Sequence, residues 1–519
     1  MAAEADREAG ADPNVPLWGL KAFVTVTGAA VMAIEFSSQR LLAPFFGNSQ
    51  LVWGVVIGLI LLALSVGYHW GGRLADRMPR AQVLGGLVLG TGVFTAALPV
   101  LAEPLLLLTV RGVLDTPAGV VLGSLIGVAI LFLPPVLTLG MVSPWAIRLA
   151  MQRRSVGDSG QTAGSLYAWA TVGSLLGTFV PVFWTIPSFG VRATLWGAGA
   201  ALILAGWGMT RRWASGLLLG APLLFAHFAG PLLKPMPGLV TEVETPYQFA
   251  EVYQWGNGVA LSVNDGAGIQ SVYTPSRLTG LYYDAFVTLP YAFSLQRPLS
   301  ALVLGMGAGT IPTMFRKDVD PWRHTPIRVT GVEIDPVLTA LGQRYFDLKP
   351  GTAQVVHQDA RVYLETHRQT FPLIVVDAYS NEIYIPFTLT TRQFFTLAAQ
   401  HLSPDGMLAL NVNALSESSP LLQDLERTLL SVFPDVAVAR APGAFNYLLV
   451  AARHPLKPPD PAKMPAFLKA TGLELATTWH RPHPGPGLVF TDDRAPVDTL
   501  TDQMILSRLW PALSQSSSS

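Results

Sequence analysis

Through its first 233 residues the chain is written in long apolar stretches, broken by short clusters of arginine, glycine and proline. After that the apolar runs shrink to strand length and alternate with amphipathic stretches. Crossing a bilayer's hydrocarbon core takes about 20 apolar residues. Runs near 17–36, 51–71, 82–102, 118–140, 163–187, 191–209 and 213–233 reach that length and predict seven membrane-spanning helices. The last contains Pro222 and His227, which favour an incomplete crossing. Small residues at Gly85 and Gly90, and at Gly173 and Gly177, suit helices that pack closely in lipid. Residues 1–16 are small, acidic and polar, and read as a disordered lead without the basic start of a signal peptide.

The second half opens at a linker, 234–240. Strands at 249–255 and 259–263 flank Gly256-Asn257-Gly258, a strong hairpin signal. A short strand at 268–271 and a helix at 277–293 complete a small subdomain over 241–298. From 299 to 505 strands (301–304, 327–332, 354–357, 373–377, 407–411, 445–451) alternate with helices (310–317, 337–346, 361–368, 391–402, 420–432). That order predicts a parallel α/β sheet. Residues 506–519 read as a tail. The expected fold is a multi-pass α-helical membrane domain at 17–233, then a Rossmann-like domain of the S-adenosylmethionine-dependent methyltransferase type, with a small β-hairpin subdomain at its N-terminal side.

Composition sharpens this picture. Of 519 residues 50% are hydrophobic and only 13% charged, against about 25% charged in a typical soluble domain. The formal net charge is zero, which gives no reason to expect a nucleic-acid partner. There are no cysteines, which excludes disulfides, thiolate catalysis and cysteine zinc sites.

The candidate chemistry sits at 300–335. A short strand runs into Gly305, Gly307 and Gly309, a helical stretch follows, and a second strand ends on Glu333. Glycines let the backbone turn sharply and approach a ligand, and an acid at the second strand's tip can accept hydrogen bonds from two ribose hydroxyls. The spacing G-x-G-x-G departs from the dinucleotide pattern G-x-G-x-x-G and points to an S-adenosylmethionine-type site. In the first half, Glu35, Arg40 and Arg148 are ionisable groups near membrane depth, where a partner or a function is expected. Glu35 either pairs with an arginine at the interface or lines a substrate path. Arg73, Arg77 and Arg80, then Arg153 and Arg154, then Arg211 and Arg212 fall on one side by alternation, which is cytoplasmic by the positive-inside rule. Seven crossings then leave the second half outside the cell, whereas its expected ligand is cytoplasmic. An incomplete crossing by 213–233 removes that conflict.

Taken together, Thr245-Pro-Tyr-Gln248, Asp265 with Gly268-Ile-Gln270, Tyr282-Tyr283-Asp284, Leu289-Pro290, Leu304–Gly309, Val332-Glu-Ile-Asp335, Gln358-Asp359-Ala360 and Val376-Asp377-Ala-Tyr379 resemble the polyamine aminopropyltransferase (spermidine synthase) family in order and spacing, specifically its membrane-fused bacterial branch. The segments 40–47, 71–77 and Thr491-Asp-Asp-Arg-Ala-Pro-Val497 are similar to that branch too. The resemblance implies transfer of an aminopropyl group from decarboxylated S-adenosylmethionine to an amine, without metal, in a multi-pass protein of the cell (inner) membrane with a cytoplasmic soluble domain, and commonly as a homodimer or larger oligomer. It implies that Gln248, Gly305, Gly307, Gly309, Glu333, Asp359 and Ala360 bind the nucleoside, and that Tyr283, Asp284 and Asp377 face the amine. Two departures stand out: Ala308 replaces an acid of the glycine loop, and Ser380 replaces the family's proposed base, a role for which Glu382 is the candidate substitute. Two other readings therefore stay open. One is a methyl or aminocarboxypropyl transferase that uses S-adenosylmethionine itself on a membrane-associated, lipid-like acceptor. The other is a non-enzymatic transporter or sensor of small cations or nucleosides with a degenerate synthase domain.

Overall fold

The computed structural model describes residues 15–46, 50–111, 117–152, 159–210, 212–229, 237–264, 268–379, 383–443 and 445–504. All but Val15 and Pro16 of the expected lead lies outside these residues, as does the expected tail. The chain divides into two compact units, Met1–Pro235 and Met236–Ser519.

The first unit is helical: α1 (Leu17–Phe46), α2 (Gln50–Arg77), α3 (Ala81–Arg111), α4 (Pro117–Leu131), α5 (Leu133–Gly140), α6 (Val142–Met151), α7 (Ser159–Val180), α8 (Ile186–Thr210) and α9 (Ala221–Phe228). Among the described residues four helical stretches are long and apolar enough to cross a membrane: Leu17–Ala43, Trp53–Arg77, Ala81–Leu106 and Ser159–Thr210. The pair Leu125–Leu131 and Leu133–Met151, bent by 53°, makes a fifth if counted as one span. The bend falls beside Pro134 and Pro135, which cannot donate the helix-continuing hydrogen bond. Ser159–Thr210 covers 52 residues, about 78 Å if straight, against a hydrocarbon core of about 30 Å. It is broken by a π-helical turn at Pro181–Thr185 and by Gly190, whose φ of 80° and ψ of 170° leave the helix. It therefore accounts for both expected runs, 163–187 and 191–209. The seventh expected span differs: Trp213–Gly220 is a 3₁₀ helix and Ala221–Phe228 only two α-turns, and together they form a short apolar helix, Trp213–Phe228.

Glycines set the helix pairing. A Cβ on Gly173 or Gly177 of α7 would strike the backbone of Thr25 or Ala29 in α1. Both contacts advance in the same direction along the two helices, so α1 and α7 run parallel. By the same test Gly67 and Gly71 of α2 meet Leu137 and Met141, again parallel, whereas Gly85 and Gly92 of α3 meet Gly206 and Gly199 of α8, antiparallel. Gly90, expected to share in this packing, faces open space; Gly92 takes the role. Arg148 pairs with Asp76 at 3.2 Å, both largely exposed.

The second unit holds two sheets. β1 (Leu239–Glu244), β2 (Phe249–Trp255), β3 (Gly258–Val263) and β4 (Ser271–Tyr273) form an antiparallel meander, whose first strand begins inside the expected linker. The expected helix at 277–293 is much shorter: α10 covers Tyr283–Thr288 and a 3₁₀ turn follows at Leu289–Ala292. The main sheet contains β5 (Ser300–Leu304), β6 (Arg328–Val332), β7 (Gln354–Val356), β8 (Phe371–Val376), β9 (Leu402–Asn413), β10 (Asp435–Arg440) and β11 (Asn446–Ala452), in the order β10-β11-β9-β8-β5-β6-β7. The five strands from β9 to β7 pair in parallel; β11 runs antiparallel between β9 and β10. Helices α11 (Thr310–Met314), α12 (Pro336–Tyr345), α13 (Ala360–Thr366), α14 (Arg392–Gln400), α15 (Pro420–Leu430) and α16 (Lys469–Thr478) complete the unit.

Central strand residues are buried on both faces, Ala301 and Val303 in one core and Leu302 and Leu304 in the other, as expected of a covered parallel sheet. A third cluster joins the meander to α12 through Ala250, Val252, Leu261, Leu338, Leu341 and Phe346. This fixes the meander beside the place where strand order reverses, with β6 on one side of β5 and β8 on the other. A ligand crevice opens at such a point.

Candidate active site

The crevice is a cavity of about 250 Å³ at the C-terminal ends of β5, β6 and β8. The chain leaves β5 through Gly305, Gly307 and Gly309, with φ of 83°, 56° and 89°. These left-handed values strongly favour glycine. Space demands it too: a Cβ on Gly305 would strike Ala378, and one on Gly307 would come within 2.7 Å of Ser271 Oγ.

Glu333 follows β6 and is 7% exposed. Its Oε2 accepts from the Gly307 amide at 2.7 Å and its Oε1 from the Asp335 amide at 2.9 Å. Burial pushes its pKa up to about 7, against the pull of those two amides. Asp335 caps α12 through the Val337 amide and accepts from Thr245 Oγ1 at 2.6 Å and Gln248 Nε2 at 3.4 Å. The 245–248 turn is thereby pinned at the cavity's edge, where Tyr247 and Gln248 form one wall. Asp359 caps α13 by accepting from the Arg361 and Val362 amides at 2.9 and 3.0 Å.

Asp377 follows β8, and its amide donates to Leu304 O at 2.8 Å. Oδ2 accepts from the Tyr282 hydroxyl at 3.1 Å, and Oδ1 is buried with no well-aligned hydrogen-bond partner among the described residues. Burial drives this carboxyl well above the usual range and so favours its neutral form. Tyr282 stacks on Tyr283 with ring centroids 4.1 Å apart, and Tyr379 donates to Asn411 O at 2.8 Å. Burial first, then the nearby Asp377, raise all three phenols well above their ordinary value. They therefore stay neutral and able to donate hydrogen bonds; of the three, Tyr379 is among the residues that line the cavity.

Of the residues expected from sequence, Gln248, Gly305, Gly307, Glu333, Asp359, Ala360 and Asp377 line one cavity. Gly309 does not; it begins α11 in the left-handed conformation. Tyr283 reaches the Ile269 carbonyl at 3.3 Å instead of the cavity. Asp284 is a correction to the expected amine contact. It is 2% exposed, and it accepts from Thr279 N, Thr279 Oγ1 and Gly280 N at 2.7–2.9 Å, tying off the turn before α10. Glu382, Ser380 and Asp265 lie outside the described residues. Ala308 is packed under the meander with Val252 and Phe346. Residues not anticipated as site residues are Tyr247, Gln270, Tyr379 and the Asp377 partner Tyr282. All four stood inside the motifs that carry the resemblance, at 245–248, 268–270, 282–284 and 376–379, but none was assigned a role there.

Among the described lining residues there are three carboxyls, Glu333, Asp359 and Asp377, and no lysine, arginine or histidine. Such a lining offers a phosphate no positive partner and offers a cation carboxyls that can ionise beside it. It also holds hydrogen-bond acceptors for hydroxyl and amino groups, and two aromatic residues, Tyr247 and Tyr379, of the kind that attract a cation. No group of three or more potential metal ligands is found among the described residues.

No family model matches the chain. A probable polyamine aminopropyl transferase of Bifidobacterium longum is 30% identical over 301 residues, 53% of this chain and 65% of that protein, so the match spans just under two thirds of that relative's length. A polyamine aminopropyltransferase of Ralstonia nicotianae is 24% identical over 494 residues, 86% of this chain and 90% of that protein. Among solved structures, a probable spermidine synthase from Corynebacterium glutamicum is similar at 21% identity, with a TM-score of 0.36 over 43% of this chain and 82% of that one.

Proposed function

The chain is related in sequence to the polyamine aminopropyltransferases, and from that premise we propose that its second unit transfers an aminopropyl group from decarboxylated S-adenosylmethionine to a small amine. One observation carries this reading: a cavity whose described lining holds three carboxyls and no basic residue, suited to a nucleoside with a sulfonium instead of phosphates. Glu333 holds the ribose hydroxyls, Asp359 the adenine amino group, and Gln248 the nucleoside's outer face. The amine nitrogen attacks the carbon next to the sulfonium. A C–N bond forms, the C–S bond breaks, and its electron pair neutralises the sulfur, leaving methylthioadenosine. The new secondary ammonium sheds one proton. Asp377 is the acceptor proposed for that proton: the approaching cation favours its ionised form, and burial makes the resulting carboxylate a stronger base. Tyr282 holds Asp377 in place.

The glycine loop brings no carboxylate into the cavity, which favours one alternative donor, S-adenosylmethionine itself, whose own carboxylate would meet no acid there. Calorimetric titration of the detergent-purified full chain separates the two. Tighter binding of the decarboxylated form by tenfold or more is expected; preference for the carboxylated form would move the assignment to an aminocarboxypropyl or methyl transferase. Binding of neither, nor of methylthioadenosine, would leave the transferase reading without support.

The first unit is proposed to anchor this enzyme by six crossings: α1, α2, α3, the bent α4–α6, α7 and α8. Spans one and five, and two and four, run parallel, while three and six run antiparallel, which is the parity that six alternating crossings require. The arginine-rich ends following spans two, four and six then share one side with both the N-terminus and the second unit, the cytoplasmic side. The chain's lack of cysteine makes the test direct. Single cysteines introduced at the exposed Ser159 and Lys463 should both be labelled by an impermeant thiol reagent only after the cells are opened; labelling of Lys463→Cys in intact cells would exclude six crossings.

A further inference from the structure

The segment Thr491-Asp-Asp-Arg-Ala-Pro-Val497, conspicuous in the sequence, lines no part of the cavity, yet it ties two of its walls together. One wall comes from Asp359 and Ala360 at the start of α13, the other from Pro386 and Leu389 before α14. Arg361, the next residue of α13, sends both terminal guanidinium nitrogens to Asp492, Nη1 to Oδ1 at 2.8 Å and Nη2 to Oδ2 at 2.6 Å, while its Nε lies 3.4 Å from Glu365 Oε1. Nη1 also lies 3.4 Å from the Thr388 carbonyl in the opposite wall. Asp492 Oδ1 accepts in addition from Thr391 Oγ1 at 2.7 Å, the hydroxyl that caps α14 through the Phe394 amide. The strap is itself held: the Arg392 amide donates to Phe490 O at 2.9 Å, Thr491 and Arg494 exchange two backbone hydrogen bonds, and Tyr384 donates to Asp502 at 2.5 Å.

A paired fork of this kind fixes direction as well as distance. We propose that Asp492 is a positioning residue for nucleoside binding: through Arg361 and Thr391 it sets the gap between the Asp359 wall and the 386–389 wall, into which the adenine fits. This rests on the nucleoside reading above. Asp492 is not among the residues that line the cavity, so its influence falls on donor affinity and not on the chemical step.

The test uses the full chain in detergent with methylthioadenosine as the probe, followed by steady-state kinetics with the donor. Asp492→Asn keeps the shape but loses the charge-assisted fork. Its affinity for methylthioadenosine should weaken about tenfold, the scale of one lost charge-assisted hydrogen bond. The donor KM should rise in step while kcat at saturation stays within about twofold, and Asp492→Glu should recover most of the loss. Arg361→Lys, which keeps the charge but not the fork, should show the same split and serves if the asparagine variant does not fold. Unchanged affinity in either folded variant, or a fall in kcat with KM unchanged, overturns the proposal. Failure of the wild type to bind methylthioadenosine would instead remove the nucleoside reading, and this proposal with it.

Discussion

Asp377→Asn is expected to lower turnover by about 10²–10⁴-fold, the range that a positioned proton acceptor contributes, while methylthioadenosine binds within about threefold of wild type. The amide preserves the side chain's shape and an oxygen for the Tyr282 hydroxyl, but it cannot ionise or take the ammonium proton. The same substitution should not lower stability. Burial raises the Asp377 pKa in the folded chain, so ionising this group disfavours folding. The stability it contributes is complete below the carboxyl's unfolded pKa and is lost as pH rises through the folded one. Asparagine removes that loss, and the variant's melting temperature at pH 8 should equal or exceed that of wild type. Full activity in Asp377→Asn would show that another group takes the proton; the first to test would be Glu382.

Glu333→Ala should weaken methylthioadenosine binding by about 30-fold or more, the equivalent of about 2 kcal/mol or above for losing hydrogen bonds to a charged acceptor. The pH dependence gives a second, independent signature. The folded pKa is about 7 against a model-compound 4.5. Ribose hydroxyls donate to the ionised carboxylate, so ligand binding releases a proton below pH 7. Affinity should therefore fall by up to about tenfold per pH unit below 7 and level off above it. In the free protein the sign is opposite: a raised carboxyl pKa gives stability that is complete below about 4.5 and lost between there and about 7. Glu333→Gln should flatten both profiles. An unchanged affinity in Glu333→Ala, or a pH profile that survives in Glu333→Gln, would remove the ribose assignment.

Much of this site was legible because its grammar is local. Three glycines at alternate positions after a strand, with an acid at the tip of the next, need only the neighbouring chain to take up their conformation, and Gly305, Gly307 and Glu333 meet in the cavity accordingly. Asp284 was misleading for the same reason. An acid near the start of a short helix has one sequence signature whether it faces a ligand or caps a turn, and only the fold brings the Thr279 and Gly280 amides around it. The neighbouring tyrosines show the same limit: the resemblance pointed to Tyr283, whereas in the fold the hydroxyl of Tyr282, just before the helix, donates to Asp377. The tie between Arg361 and Asp492 spans 131 positions, beyond the reach of any local pattern.

Apolar run length by itself located the helices of the first unit, of which four among the described residues, or five with the bent pair, are long enough for a bilayer, because backbone groups in hydrocarbon must be satisfied within the segment. Strand–helix alternation likewise determined the α/β sheet, since parallel strands require crossovers. Tertiary structure decided where those runs break and how they pair. Gly190 leaves the helix, and Gly173 and Gly177 let α7 lie against α1, because close approach depends on what stands opposite each glycine. It also decided which carboxyls share a cavity. Glu333, Asp359 and Asp377 come from three strand ends that only the sheet's order makes neighbours, and the burial that raises Glu333 and Asp377 belongs to the assembled core and not to the sequence around either one.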